Sequence, residues 1–227
     1  MRKRLRRVAA TIAPVAALLV LASGTIAQSP GRPGAVEASI VDEKGKPVED
    51  AVVSLTPVSG AAPALPATTA VMDQVDKEFV PRVLAVAVGA AVRFPNRDNI
   101  KHHVYSFSTP KKFELPLYSG TPASPVIFDK PGVVVLGCNI HDWMVGYVYV
   151  LTTPYFAKSA ADGRARIPDV PAGAWEARVW HPRMRVLPEQ TTQAVTLPAG
   201  DRLEWTLSLK GEWKPGRGPG KYGGAES

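Results

Sequence analysis

Cysteine is nearly absent from this chain, and the scarcity constrains it more than any abundance does. A single cysteine in 227 residues, Cys138, excludes an internal disulfide. A lone thiol in an oxidising compartment has to be buried, shared between chains, or bound. Acidic residues are also missing from the start of the chain up to Ala27. That stretch reads Met1-Arg2-Lys3-Arg4-Leu5-Arg6-Arg7, then an apolar run over 8–22, then the small-residue end Thr25-Ile26-Ala27. This is the pattern of a secretory signal peptide over residues 1–27, and it predicts export to the periplasm. The apolar run is short for a lasting membrane anchor, so no stable membrane insertion is expected once it is removed. Its removal takes five of the 27 basic residues and leaves 22 against 20 acidic ones, so the formal charge falls from +7 to about +2. The case for a nucleic-acid partner falls with it.

Helical periodicity is lacking too, as are a phosphate-binding glycine loop, a nucleophile paired with a base, and any second metal-like cluster. What is there is 45% hydrophobic residues broken by 22 prolines and 19 glycines, the texture of a turn-rich all-β protein. Residues 36–41 and 51–55 read as strands around the turn Asp42-Glu43-Lys44-Gly45, and 57–70, rich in Ala and Pro, as a linker or exposed loop. Short strands are predicted within 83–94, at 102–107, through the alternating Phe113, Leu115 and Leu117, at 126–128 and at 132–138. Beyond Leu151 the texture changes. Asp162-Gly163 and Pro171-Ala172-Gly173 mark turns around strands at 164–167 and 175–180. Residues 211–227, with six glycines and two prolines, are expected to form a disordered tail.

The one cysteine falls in Gly137-Cys138-Asn139-Ile140-His141-Asp142-Trp143-Met144, which reads as a short loop between two strands. Two residues separate the thiol from an imidazole, and two more separate that imidazole from a thioether. Cys138 and Met144 on their own could be core residues, since both types fill apolar interiors. A trigonal site of two histidines and one cysteine with a long axial methionine needs these three groups and one more imidazole, and it selects copper. The second imidazole is available upstream at His102 or His103. Adjacent strand residues face opposite ways, so only one of them can reach the metal.

With Asn96 ahead of His102, and the Cys138, His141 and Met144 cluster beside the last strand, residues 71–151 resemble the cupredoxins, the type 1 blue copper proteins. Within them the ligand spacing is similar to that of the amicyanins and the copper proteins of methylamine utilisation. The run Phe79-x-Pro81-x-x-Leu84-x-Val86-x-x-Gly89-x-x-Val92-x-Phe94-x-Asn96 looks like the strand that leads to their first ligand. The chain departs from the pattern in having neither Pro nor Gly between Cys138 and His141, and Val135 where an aromatic is usual. The resemblance implies a Greek-key cupredoxin sandwich with one type 1 copper held by His102, Cys138, His141 and Met144, and it favours His102 over His103. Asn96 is expected to shape the loop or brace the cysteine. Asp142 and Trp143 are expected at the exposed edge of the site.

The segments before and after this region resemble the two halves of a second, smaller β-sandwich of the carboxypeptidase regulatory-like kind. Its first half carries Ile40-Val41-Asp42-x-x-Gly45-x-Pro47-Val48-x-x-Ala51-x-Val53-x-Leu55. The expected organisation is therefore a split sandwich, 36–58 plus 152–210, with the cupredoxin inserted at a loop tip. Four ligands leave no open coordination position, which implies an electron carrier rather than an enzyme. The resemblance points to a periplasmic dehydrogenase or a c-type cytochrome as redox partner. Copper delivery or storage, or a scaffold that binds through the outer sandwich, are the competing expectations.

Overall fold

Strands are what this sequence can make, because β-branched and aromatic residues alternate with polar ones between glycine and proline turns. The computed structural model describes residues 33–197 and 202–211. The signal-peptide expectation and, apart from Gly211, the tail expectation lie outside the described residues. Among the described residues the chain is all-β with no α-helix, only a short 3-10 turn at Pro188–Thr191.

The chain opens with β1 (Gly34–Asp42) and β2 (Val52–Pro57). It then runs through β3 (Thr69–Val71), β4 (Asp73–Val75), β5 (Glu78–Val80), β6 (Val83–Ala87) and β7 (Ala90–Arg93). Next come β8 (His102–Ser106), β9 (Phe113–Tyr118), β10 (Val126–Phe128), β11 (Gly132–Cys138) and β12 (His141–Leu151). It closes with β13 (Phe156–Lys158), β14 (Arg164–Val170), β15 (Gly173–Trp180), β16 (Gln193–Leu197) and β17 (Arg202–Leu207).

Two separate cores follow from the way these strands pair. The sheets β14-β1-β17 and β13-β2-β15-β16 enclose the first, built from Val36, Ile40, Val53, Leu55, Ile167, Val179 and Trp205 among others. All its members come from either end of the described chain, none from the middle. The middle forms a second sandwich, in which β6-β12-β11-β8-β9 shares a core with β10-β7-β3 and the hairpin β4-β5. Met72, Phe94, Val104, Phe128, Leu136 and Val148 fill it, and Cys138 and Met144 belong to the same cluster. Residues 57–70 were expected to be loop throughout, yet Thr69–Val71 pairs in parallel with Ala91–Arg93 as β3. Three residues with only the middle one turned inward carry no alternating apolar signal.

Val52, Val83, Leu151 and Trp180 join the two sandwiches, with the Trp180 ring 4.9 Å from Tyr149 and 6.1 Å from Tyr147. Beside this junction, a cleft of about 380 Å³ is lined by Lys46, Asp50, Arg82, His181 and Arg183 among others. His181 accepts a hydrogen bond at Nδ1 from the Arg183 amide, 3.2 Å away. Burial first, then the Arg183 and Arg82 charges against the opposing Asp50, push its pKa down to about 4. The unfolded chain takes that proton near pH 6.5, so stability is full above that value and is lost as pH falls toward 4. The loss expected at pH 4 is about 3 kcal/mol. Urea titrations of the protein and of His181→Asn, which keeps an acceptor, should show the variant's stability falling less between pH 7 and 4. Parallel pH profiles would count against this assignment.

Candidate metal centre

β11 ends and β12 begins around a turn of two residues, Asn139 and Ile140, which makes Cys138 and His141 cross-strand neighbours. The sequence reading placed Cys138, His141 and Met144 in a loop. The structure corrects this: Cys138 closes β11, His141 opens β12 and Met144 lies within β12. Pairing persists up to the tightest reversal a hairpin allows, so nothing else remains for the loop. The register slips between Gly137 and Cys138, and such a bulge re-aims the side chain beside it.

The Cys138 Sγ lies 3.7 Å from His141 Nδ1 and 3.9 Å from His102 Nδ1. One ligand atom from each of the three residues falls within 4.8 Å of the other two. An ion bonded at roughly 2.3 Å to sulfur and 2.0 Å to nitrogen, at tetrahedral to trigonal angles, holds a sulfur and a nitrogen about 3.5–3.7 Å apart. The three donors therefore fit one metal ion. Met144, 1% exposed, packs in the core cluster that contains Cys138.

The protonation states suit the same use. His102 is fully buried, and its Nε2 lies 2.6 Å from Asp98 Oδ2. A carboxylate can only accept there, so this contact calls for the ring proton on Nε2, and Nδ1 is the nitrogen that faces Cys138. Burial would raise the Asp98 pKa, but His102 and the amides of Lys77 and Asp76 outweigh it and hold the carboxyl below its usual range. Burial, helped by the His102 ring and the Lys77 ammonium, lowers the pKa of His141. That ring is then neutral near pH 7 with a lone pair to offer.

His103 is not part of the cluster. Its Nε2 sits 2.9 Å from Glu114, off the line of a good hydrogen bond, and its ring packs 5.4 Å from Tyr105. His141 is itself only 9% exposed. The rings of His102 and Trp143 flank it at 5.0 and 5.2 Å, and the exposed edge is formed by Asn139, Ile140 and Asp142 around a half-buried Trp143. Asn96 shapes its loop: its Nδ2 donates to the carbonyls of Ile100 and Tyr118 at 2.8 and 2.9 Å. The sequence reading missed Asp98, whose signal was its place four residues before His102. It also missed the buried Gln74, whose amide donates to the Tyr118 hydroxyl, which in turn donates to the Phe94 carbonyl. Burial pushes the Tyr118 pKa up to about 12 against the opposing effect of the Gln74 hydrogen bond, so that hydroxyl keeps its proton.

No protein-family model matches the chain, and no curated protein matches its sequence. Among solved structures, a purple cupredoxin from Nitrosopumilus maritimus is 24% identical at a TM-score of 0.31, over 36% of this chain and 96% of that one. A reduced amicyanin variant is 25% identical at a TM-score of 0.33, over 43% of this chain and 99% of that one. A copper-containing nitrite reductase from Thermus scotoductus is 26% identical at a TM-score of 0.34, over 50% of this chain but 28% of that one.

Proposed function

We propose that the chain binds one copper ion, in a type 1 site made by His102, Cys138, His141 and Met144, and acts as a one-electron carrier with no turnover of its own. The observation that carries this reading is the convergence of a buried thiol and two differently held imidazole nitrogens at metal-binding separations. Copper bound there supplies one-electron exchange between its two oxidation states. The protein's part is to hold the donors still. Cys138 and His141 are fixed by the hairpin, His102 by Asp98, and Met144 by the core around it. Four donors drawn from a packed interior leave no open position for a substrate. We read the protein as exported to the periplasm and exchanging electrons with a dehydrogenase or c-type cytochrome, amine oxidation being one pathway that would use it.

Electrons would enter and leave at the edge formed by Ile140, Asp142 and Trp143, since the Trp143 ring packs on the ligand His141. Weak redox encounters need only a small patch. The test combines a visible spectrum of the copper-loaded protein with stopped-flow reduction and reoxidation and a Cu(I) transfer assay to an acceptor apoprotein. The expected result is intense thiolate-to-copper absorption, rapid redox cycling and slow metal transfer. Trp143→Asp should slow exchange about tenfold while the spectrum stays nearly unchanged, as expected for a patch that orients a partner. Rapid metal transfer with sluggish cycling would replace the carrier reading with copper delivery.

A further inference from the structure

The hairpin β4-β5 turns on Asp76 and Lys77, both at positive φ (53° and 63°). Both backbone amides of this turn point to one acceptor. The Asp76 N–H donates to Asp98 Oδ1 at 2.7 Å and the Lys77 N–H to Asp98 Oδ2 at 2.9 Å. The same Oδ2 faces His102 Nε2 at 2.6 Å. The Asp98 amide is itself tied to Asn96 Oδ1 at 2.9 Å. This carboxylate is thus held on three sides, with its side chain 12% exposed. At its base the hairpin rests on the other ligand-bearing element. A Cβ built on Gly146 of β12 would lie 2.9 Å from Phe79, so the Phe79 side chain takes the room that a side chain at 146 would need. The hairpin therefore spans from the carboxylate behind His102 to the strand that carries His141 and Met144.

We propose that Asp98, locked by the tip of the β4-β5 hairpin, is the positioning residue that fixes the Nε2–H tautomer and the orientation of His102 at the metal centre. The inference rests on the copper reading for its metal readouts and on the chain alone for its tautomer readout. A carboxylate behind a ligating imidazole orients the ring and raises its basicity, and loss of such a partner weakens metal binding about 10- to 100-fold. A more basic imidazole favours Cu(II) over Cu(I). Asp98→Asn keeps the size and one oxygen acceptor but removes the charge and the second acceptor.

The experiment uses ¹⁵N-histidine NMR of the metal-free protein alongside copper competition titrations and potentiometry on the wild type and Asp98→Asn. The wild type should show His102 as one Nε2–H tautomer, and Asp98→Asn a mixture of both tautomers. Cu(II) affinity should fall about 10- to 100-fold. If Cu(II) binding suffers tenfold more than Cu(I) binding, the reduction potential rises by about 59 mV. An unchanged tautomer and potential in the variant would overturn the proposal, as would a wild-type His102 carrying its proton on Nδ1. That second measurement decides the matter even if the variant does not fold. A wild type that takes up no copper would remove the carrier reading while the tautomer comparison still judges Asp98.

Discussion

His102→Ala should abolish the intense thiolate-to-copper absorption and weaken copper binding by roughly a hundredfold or more, whereas His103→Ala should leave the absorption in place. The contrast follows from where two adjacent rings go. His102, fully buried, points Nδ1 at Cys138 and Nε2 at Asp98, while His103 packs against Tyr105 and Glu114. An ion held by a few donors draws on each for several kcal/mol of binding, and about 2.7 kcal/mol corresponds to a hundredfold change in affinity. Removing His102 also leaves the Asp98 carboxylate without its ring partner in a largely enclosed position, a cost of about 1–3 kcal/mol. Cys138→Ser, which removes the soft thiolate and its absorption outright, is the positive control. Parallel copper titrations followed by absorbance separate the outcomes. Colour lost with His103→Ala and kept with His102→Ala would move the first ligand by one residue.

What the sequence made legible at this site, and what it hid, divides along chain distance. Cys138 and His141 are brought together by a single tight turn, so their spacing already records their proximity. Their status as strand residues was less visible, because the same short spacing suits a loop until the pairing is known. Between His102 and His103 the residues offer no distinction of their own. Alternation says only that the two differ, and the preference for His102 came from resemblance. Asp98 had one signal, its place four residues before His102, and the rest of its role was hidden for a different reason. Its partners at 76 and 77 are backbone amides more than twenty residues away, and a backbone donor leaves no mark in residue types.

The fold shows the same division. β14 and β15, whose strands were expected at 164–167 and 175–180, place alternate residues on the first core, whereas β17 alternates as cleanly over Arg202–Leu207 and was not expected. β3 shows no such alternation, being a three-residue parallel partner of β7 with too little side-chain burial to pattern. The pairing of Glu37–Asp42 with Arg202–Leu207 in parallel was also beyond a reading of local texture, since nothing in either segment specifies direction. Long-range partner choice is set by the whole core, which local residue types sample only one face at a time.

Gly163→Ala should destabilise the protein by about 2–4 kcal/mol, while Gly45→Ala, at an almost identical backbone angle, should cost about 1 kcal/mol. Gly163 sits at φ +74° and Gly45 at φ +76°, so both substitutions pay the left-handed strain of an L side chain. Only one of them meets an obstacle. A Cβ at 163 would collide with the Ile40 carbonyl oxygen and lie 3.2 Å from Pro47, whereas a Cβ at 45 has nothing within 4 Å. The Ile40 carbonyl accepts from the Val48 amide at 3.0 Å, and the Ile40 amide donates to the Gly163 carbonyl at 2.8 Å. Backbone cannot rotate aside as the end of a side chain can, so the clash has to stretch or break one of these two bonds. Ile40 is fully buried on β1, the strand that lies between β14 and β17 over the first core, so the strain enters the outer sandwich at its centre. Urea unfolding followed by tryptophan fluorescence reports it, since Trp175 and Trp205 belong to that core. Equal midpoints for the two variants would show that the Ile40 carbonyl can move away from the turn, and that the close approach of Gly163 is not what holds β1 in place.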